Sequence, residues 1–193
     1  MQRLYHLERR FPKLVAAGYF KTSERTGPFG TPGTYNCIAW AANDTRVWWW
    51  PVPDAYWPPW IKRREPTIAC FVHTFRWLGY QVCTNSIHEP GFEKVVLYAV
   101  HNSQSPQLPP EKWQDMNEWI PTHMARQLSD GTWTSKCGGN EDISHFTLDA
   151  LESYGPQWMH EEYGCPVVYM KRRVLVSRFA AFIQKTGWKR GWF

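Results

Sequence analysis

The chain has 193 residues and a net charge of +5, with 43% hydrophobic residues, 20% charged residues and 13 Trp. That composition excludes a disordered or acidic-tail protein and provides enough chain for one core without covalent staples. No apolar run approaches the roughly 18 residues that span a bilayer, and scattered basic clusters without a recognition motif do not point to nucleic acid. In chain order, Leu4, Leu7, Phe11, Leu14 and Val15 predict helix interrupted at Pro12. Residues 21–35 are dense in Gly and Pro and read as loop. Asn36 is a candidate cap for a short helix over Cys37 to Ala42. The Trp/Pro-rich stretch at about 47–61 is too proline-dense for helix or central strand and reads as an ordered aromatic loop. Thr67 to Leu78 predicts an amphipathic helix stopped by Gly79.

Strand signals follow at Tyr80 to Cys83 and Glu93 to Val100, and then a polar insertion at about 102–121. Thr122 to Leu128 and Thr132 to Ser135 form a hairpin pattern across Ser129-Asp130-Gly131. Thr147 to Ser153 suggests one or two helical turns, Pro166 to Met170 a last strand, and Val174 to Thr186 an amphipathic helix. Helices first and a small antiparallel sheet after them predict a single α+β domain over 1–193. Leu14 to Phe20 is followed by Lys21-Thr22-Ser23-Glu24 rather than a small-residue cleavage site, which predicts no Sec signal peptide. Five Cys without a C-x-x-C pair fit a reduced compartment. The expectation is a cytoplasmic location, with signal-less export as the alternative.

Thiolate, not thiol, is the nucleophile, and a helix N-terminus and a neighbouring imidazole both favour it. Cys37 opens a capped helix after a Gly/Pro-rich loop, and His123 opens a rigid hairpin strand. They are the candidate nucleophile and base. Cys70, mid-helix, reads as an inert core thiol, and Cys137, in a Gly-rich turn, is the one rival to Cys37. Lys136 reads as a surface or ion-pair lysine, and Asp142 to His145 as a segment that ties down a loop. The Trp48–Trp60 cluster reads as core and lid, with at least one of Trp48, Trp49 or Trp50 bordering the groove above Cys37. No histidine has ligand spacing, so neither metal nor cofactor is expected.

Tyr35-Asn36-Cys37-Ile38-Ala39-Trp40 resembles the Tyr-Asp-Cys-Ser-Gly-Leu nucleophile motif of NlpC-type papain-like cysteine peptidases. Gly91 to Tyr98 is similar to that family's Gly-Asp-Leu-Val strand, and His123 to Gly131 resembles its His-Val-Gly-Ile-Tyr-Leu-Gly-Asp-Gly strand and turn. The whole chain also resembles an uncharacterised bacterial group with Tyr-Asn-Cys, Ser-Lys-x-Gly and Asp-Ile-x-His motifs. The resemblance implies a papain-like fold and an amide-cleaving Cys37–His123 dyad, with the Cys37 N–H and Tyr35 at the oxyanion and Trp48 beside the substrate. The family's third polar residue falls at Ser135, with His145 and Asp142 as the other candidates. The implied substrate is a peptide, a peptidoglycan stem peptide or a side-chain amide. Two other readings stand beside it: a non-catalytic papain-like binding module, and a toxin or effector with an immunity or other partner protein.

Overall fold

The computed structural model describes residues 3–23, 34–101, 119–153 and 163–174. Pro12, which has no N–H to donate, divides the first apolar stripe into α1 (Tyr5–Arg10) and α2 (Leu14–Ala17). Leu7, Phe11 and Leu14 nevertheless remain on one buried face. Asn36 is extended and its side chain accepts the Ala39 N–H at 3.1 Å, which starts α3 (Cys37–Ala41). The same amide donates from Nδ2 to the Trp49 carbonyl at 2.7 Å and accepts the Trp49 N–H at 3.3 Å. One side chain therefore both caps the helix and pins the aromatic segment to it. Thr67 caps α4 (Ile68–Trp77) by accepting the Cys70 N–H at 3.2 Å, and Gly79, at φ +88°, ends it.

The strands are β1 (Tyr19–Lys21), β2 (Gln81–Cys83), β3 (Phe92–His101), β4 (Trp119–Gln127), β5 (Trp133–Lys136), β6 (Asp142–His145) and β7 (Cys165–Arg173). They form one seven-stranded antiparallel sheet in the order β1-β6-β5-β4-β3-β7-β2. Successive side chains of a strand point to opposite faces. On β3, Val95 and Leu97 accordingly pack with α3, α4 and the aromatic segment, whereas Val96 and Tyr98 pack with α1, α2 and a 3-10 turn at Leu148–Leu151. The aromatic segment is part of the core: Trp57 meets Phe71 edge-on at 5.7 Å and Trp49 meets Trp57 at 6.2 Å. Arg64 holds the segment's turn by donating to the carbonyls of Val52, Pro53 and Ala55.

Two irregularities shape the sheet. β4 and β5 are paired only through Arg126↔Thr134 and Gln127↔Trp133, so the two strands separate towards the start of β4. At the edge, β2 covers β7 only from Tyr169 to Lys171, leaving Pro166 in the part of β7 beyond it. Gly164, at φ +69°, precedes β7 where a Cβ would overlap the Ala99 carbonyl, so only glycine fits this approach.

The architecture is α+β, with few helices and a larger sheet than the sequence suggests. The loop expected over 21–35 begins later, because Lys21 completes β1 against Ile143. Asp142 to His145, expected to tie down a loop, is strand β6; with one paired neighbour on each side its four residues are all buried. The expected insertion at 102–121 ends earlier, since Trp119 to Pro121 belong to β4, and its remainder lies outside the described residues. The helix expected over Val174 to Thr186 also falls outside them, apart from Val174. Among the described residues no helix is long and apolar enough to cross a membrane.

Asn36→Ala removes a helix cap and leaves the Trp49 backbone unpaired in a buried place. Urea denaturation should show a loss of about 2–3 kcal/mol, with Asn36→Asp, which keeps the cap acceptor, recovering about 1 kcal/mol of it. A loss for Asn36→Ala below about 0.5 kcal/mol would contradict the pinning role.

Candidate active site

Cys37 is the first residue of α3 and is 6% exposed. The backbone N–H groups of Met124, Ile38 and Cys37 itself face the sulfur and favour a thiolate, but burial outweighs them and pushes the thiol up to about 11. The resting group is a neutral thiol. Cys137, also buried, is pushed up to about 12 by burial. It is close enough for its charge to couple with that of Cys37.

His123 is fully buried. Its ring stacks on Tyr163 with centroids 4.0 Å apart and meets Tyr98, its cross-strand partner, edge-on at 5.4 Å. Nε2 lies 3.1 Å from Ser135 Oγ, which lies 3.0 Å from His145 Nε2, and His145 Nδ1 lies 2.7 Å from the Thr147 carbonyl. Burial lowers the His145 imidazole to about 4, so at neutral pH it carries one proton. A carbonyl can only accept, which puts that proton on Nδ1. His145 Nε2 is then an acceptor, the single Ser135 hydroxyl proton goes to it, and Ser135 Oγ accepts from His123 Nε2–H. Burial, followed by the charges of His145 and Arg10, holds His123 well below its ordinary range, so it too is neutral. The relay therefore leaves a lone pair on His123 Nδ1, a buried atom without a hydrogen-bond partner.

Of the residues singled out in the sequence, the structure brings His123, Ser135 and His145 into one chain. No hydrogen bond joins Cys37 to His123: Cys37 packs in the cluster that contains Met124, and the His123 ring lies with Tyr98 and Tyr163 on the other face. The Cys37 sulfur lies against the Met124 backbone, near enough to Cys137 and Arg10 for charges to couple.

Tyr35 and Asp142 form a second group on α3's side. The Tyr35 hydroxyl donates to Asp142 Oδ2 at 2.6 Å, and so does Ser23 Oγ at 2.6 Å. Asp142 thus stands outside the imidazole relay, and the Tyr35 hydroxyl is engaged within the core. Lys136 is not at the surface. It is completely buried, donates to the Asn140 carbonyl, and lies 3.9 Å from Asp142 Oδ1 and 5.3 Å above the Tyr35 ring. Trp48 is 37% exposed, whereas its neighbour Trp49 is buried and tied to Asn36 and Asp44. Sequence reasoning did not find Thr147, whose contribution is a backbone carbonyl, nor Tyr163, which lies far along the chain and carries no motif. Among the described residues no group of three or more His, Cys, Asp and Glu could hold a metal ion.

Residues 29–171 match the family described as a domain of unknown function, DUF7689. No curated protein and no solved structure matches the chain.

Two neutral buried imidazoles make stability depend on acid. In the unfolded chain both protonate near 6.5, while in the folded protein they stay neutral, so below that pH the unfolded state binds more protons. The contribution is complete above about 6.5 and is lost as pH falls towards 4; for His145 alone it amounts to about 3 kcal/mol. Denaturation midpoints measured from about pH 7.5 to 4.5 should fall steadily, and His145→Gln should flatten the profile. A wild-type profile as flat as that of the variant would contradict the neutral relay.

Proposed function

The chain belongs to the DUF7689 family, a domain of unknown function, and from its own residues we propose that it is a thiol hydrolase that cleaves an amide bond, with Cys37 as nucleophile and His123 as base. One observation carries the reading: the Thr147–His145–Ser135 relay fixes the tautomer of His123 and leaves the Nδ1 lone pair buried and unpartnered. A purely structural histidine in such a place would use both ring nitrogens. The resemblance of the Cys37 and His123 segments to NlpC-type papain-like peptidases supports the same roles and a papain-like arrangement.

In this mechanism substrate seating brings the thiol to His123 Nδ1. Nδ1 takes the thiol proton as sulfur attacks the amide carbon, and the carbonyl π electrons move to oxygen. The N–H groups beside the sulfur, those of Cys37 and Ile38, stabilise that oxygen. The imidazolium returns its proton to the leaving amine as the C–N bond breaks, giving a thioester. Water, deprotonated by the same nitrogen, then releases the acid and restores the thiol. Ser135 and His145 act as positioning residues. The substrate class is a peptide, a peptidoglycan stem peptide or a side-chain amide.

A second reading has its own support. The burial of Cys37 and its raised thiol suit a core residue in a non-catalytic binding module, whose recognition surface would be the exposed Trp48, Tyr56 and Trp60.

Hydrolysis of a panel of peptide anilides, stem peptides and glutaminyl amides distinguishes the two. The hydrolase reading expects turnover lost in Cys37→Ala, an acyl adduct of wild-type Cys37 by intact-mass spectrometry, and a kcat reduced by about 10–100-fold in Ser135→Ala with KM little changed. No adduct on Cys37, together with cleavage at equal rates by wild type and Cys37→Ala, would sink it.

A further inference from the structure

Arg126 follows Met124 on the same face of β4 and is 8% exposed. Its guanidinium lies 4.7 Å over the Trp40 ring and donates from Nη1 to Asn43 Oδ1 at 2.6 Å. Asn43 sits just past the end of α3 at φ +63°, a backbone state that asparagine tolerates well. Among the described residues that is the only hydrogen bond of the Arg126 side chain. Nε is buried without a partner, and no carboxylate among the described residues forms a salt bridge with Arg126. A nearly buried cation without a counter-charge costs several kcal/mol, and two neutral contacts do not replace an anion. Nη2, like Nε, makes no hydrogen bond among the described residues, and a guanidinium is the side chain best shaped to pair with a carboxylate.

The residue lines an open cavity of about 260 Å³ together with Asn43, Phe92, Glu93, Leu128 and Val174. Glu93, the acidic group of the lining, is already committed. Arg172 donates to it at 3.0 and 3.2 Å, and Tyr80 at 2.9 Å. We infer that this cavity is a carboxylate-binding site, in which a ligand carboxylate pairs with the guanidinium of Arg126 and an attached apolar group packs on Phe92 and Val174. A single uncompensated positive charge beside Glu93 suits a monoanion better than a phosphate dianion. The inference goes beyond the hydrolase reading. The cavity lies past the C-terminal end of α3, whereas Cys37 is at the N-terminal end, and binding there does not use the thiol.

The test observes the Arg126 Nε–H signal in ¹⁵N spectra of the whole protein titrated separately with N-acetylalanine, N-acetylalanine amide and inorganic phosphate. The acid should shift that signal saturably, with the amide and phosphate each at least about tenfold weaker. Arg126→Lys, which keeps the charge but not the two-pronged edge, should lose at least about tenfold in affinity for the acid. Equal binding of acid and amide, tighter binding of phosphate, or no response of the Arg126 signal overturns the inference, and these comparisons stand on the wild-type protein even if the lysine variant fails to fold.

Discussion

A single buried amide, that of Asn36, fixes the arrangement on which the candidate site depends. Its oxygen starts α3 and its nitrogen holds the backbone of the aromatic segment, so helix and segment cannot shift independently. Once that helix start is set, Cys37 must face β4, and the side chains that follow, Ile38, Ala39 and Ala41, are fully buried beside it. A cap of this kind is ordinarily worth about 1 kcal/mol. Here it also decides geometry, because the group it positions is five residues long and has little helical stability of its own.

Uncharged polarity is the second organising theme. Two imidazoles, a hydroxyl and a thiol are all buried, and burial keeps the imidazoles and the thiol neutral. Such groups are tolerated only when their hydrogen bonds are met or are reserved for something else. The Thr147 carbonyl supplies the fixed end of the relay, and from it the proton positions of three side chains follow. Lys136 obeys the same rule differently: it retains a carbonyl, a nearby carboxylate and an aromatic face in place of water.

Much of the fold could be read from local signals. The Asn36 cap, the Gly79 stop, the Pro12 break and the Ser129-Asp130-Gly131 turn each act within a few residues, and all appear where local chemistry predicts them. What escaped were features that depend on distant partners. β1 is three residues long and exists because β6 lies beside it. β6 is polar at Asp142, Ser144 and His145, so its burial does not register as an apolar run; the Asp142 and His145 side chains are accommodated there by partners elsewhere in the fold. The same logic governs the site. Cys37 announces itself by its place at a helix start, whereas His123, expected to open a strand, stands in the middle of β4; Ser135 and His145 were separate candidates for the third residue, and that both serve in series is a consequence of strand register. Arg126 had no local signal at all, since a guanidinium on a strand usually marks a solvated face.

The uneven coverage of β7 bears on what the edge of the sheet offers to another strand. Among the described residues, the outer edge of a nine-residue strand is paired over only three of its residues. An uncovered, partly buried stretch of that kind is a template for a strand from another molecule. Pro166 sits within it and offers no N–H, and the neighbouring strand that does cover the edge is itself only three residues long and bears the exposed Gln81. A recruited chain would find a broken ladder on one stretch and a very short one on the other. A proline near the start of a strand thereby makes this stretch of edge a poor template for a further strand.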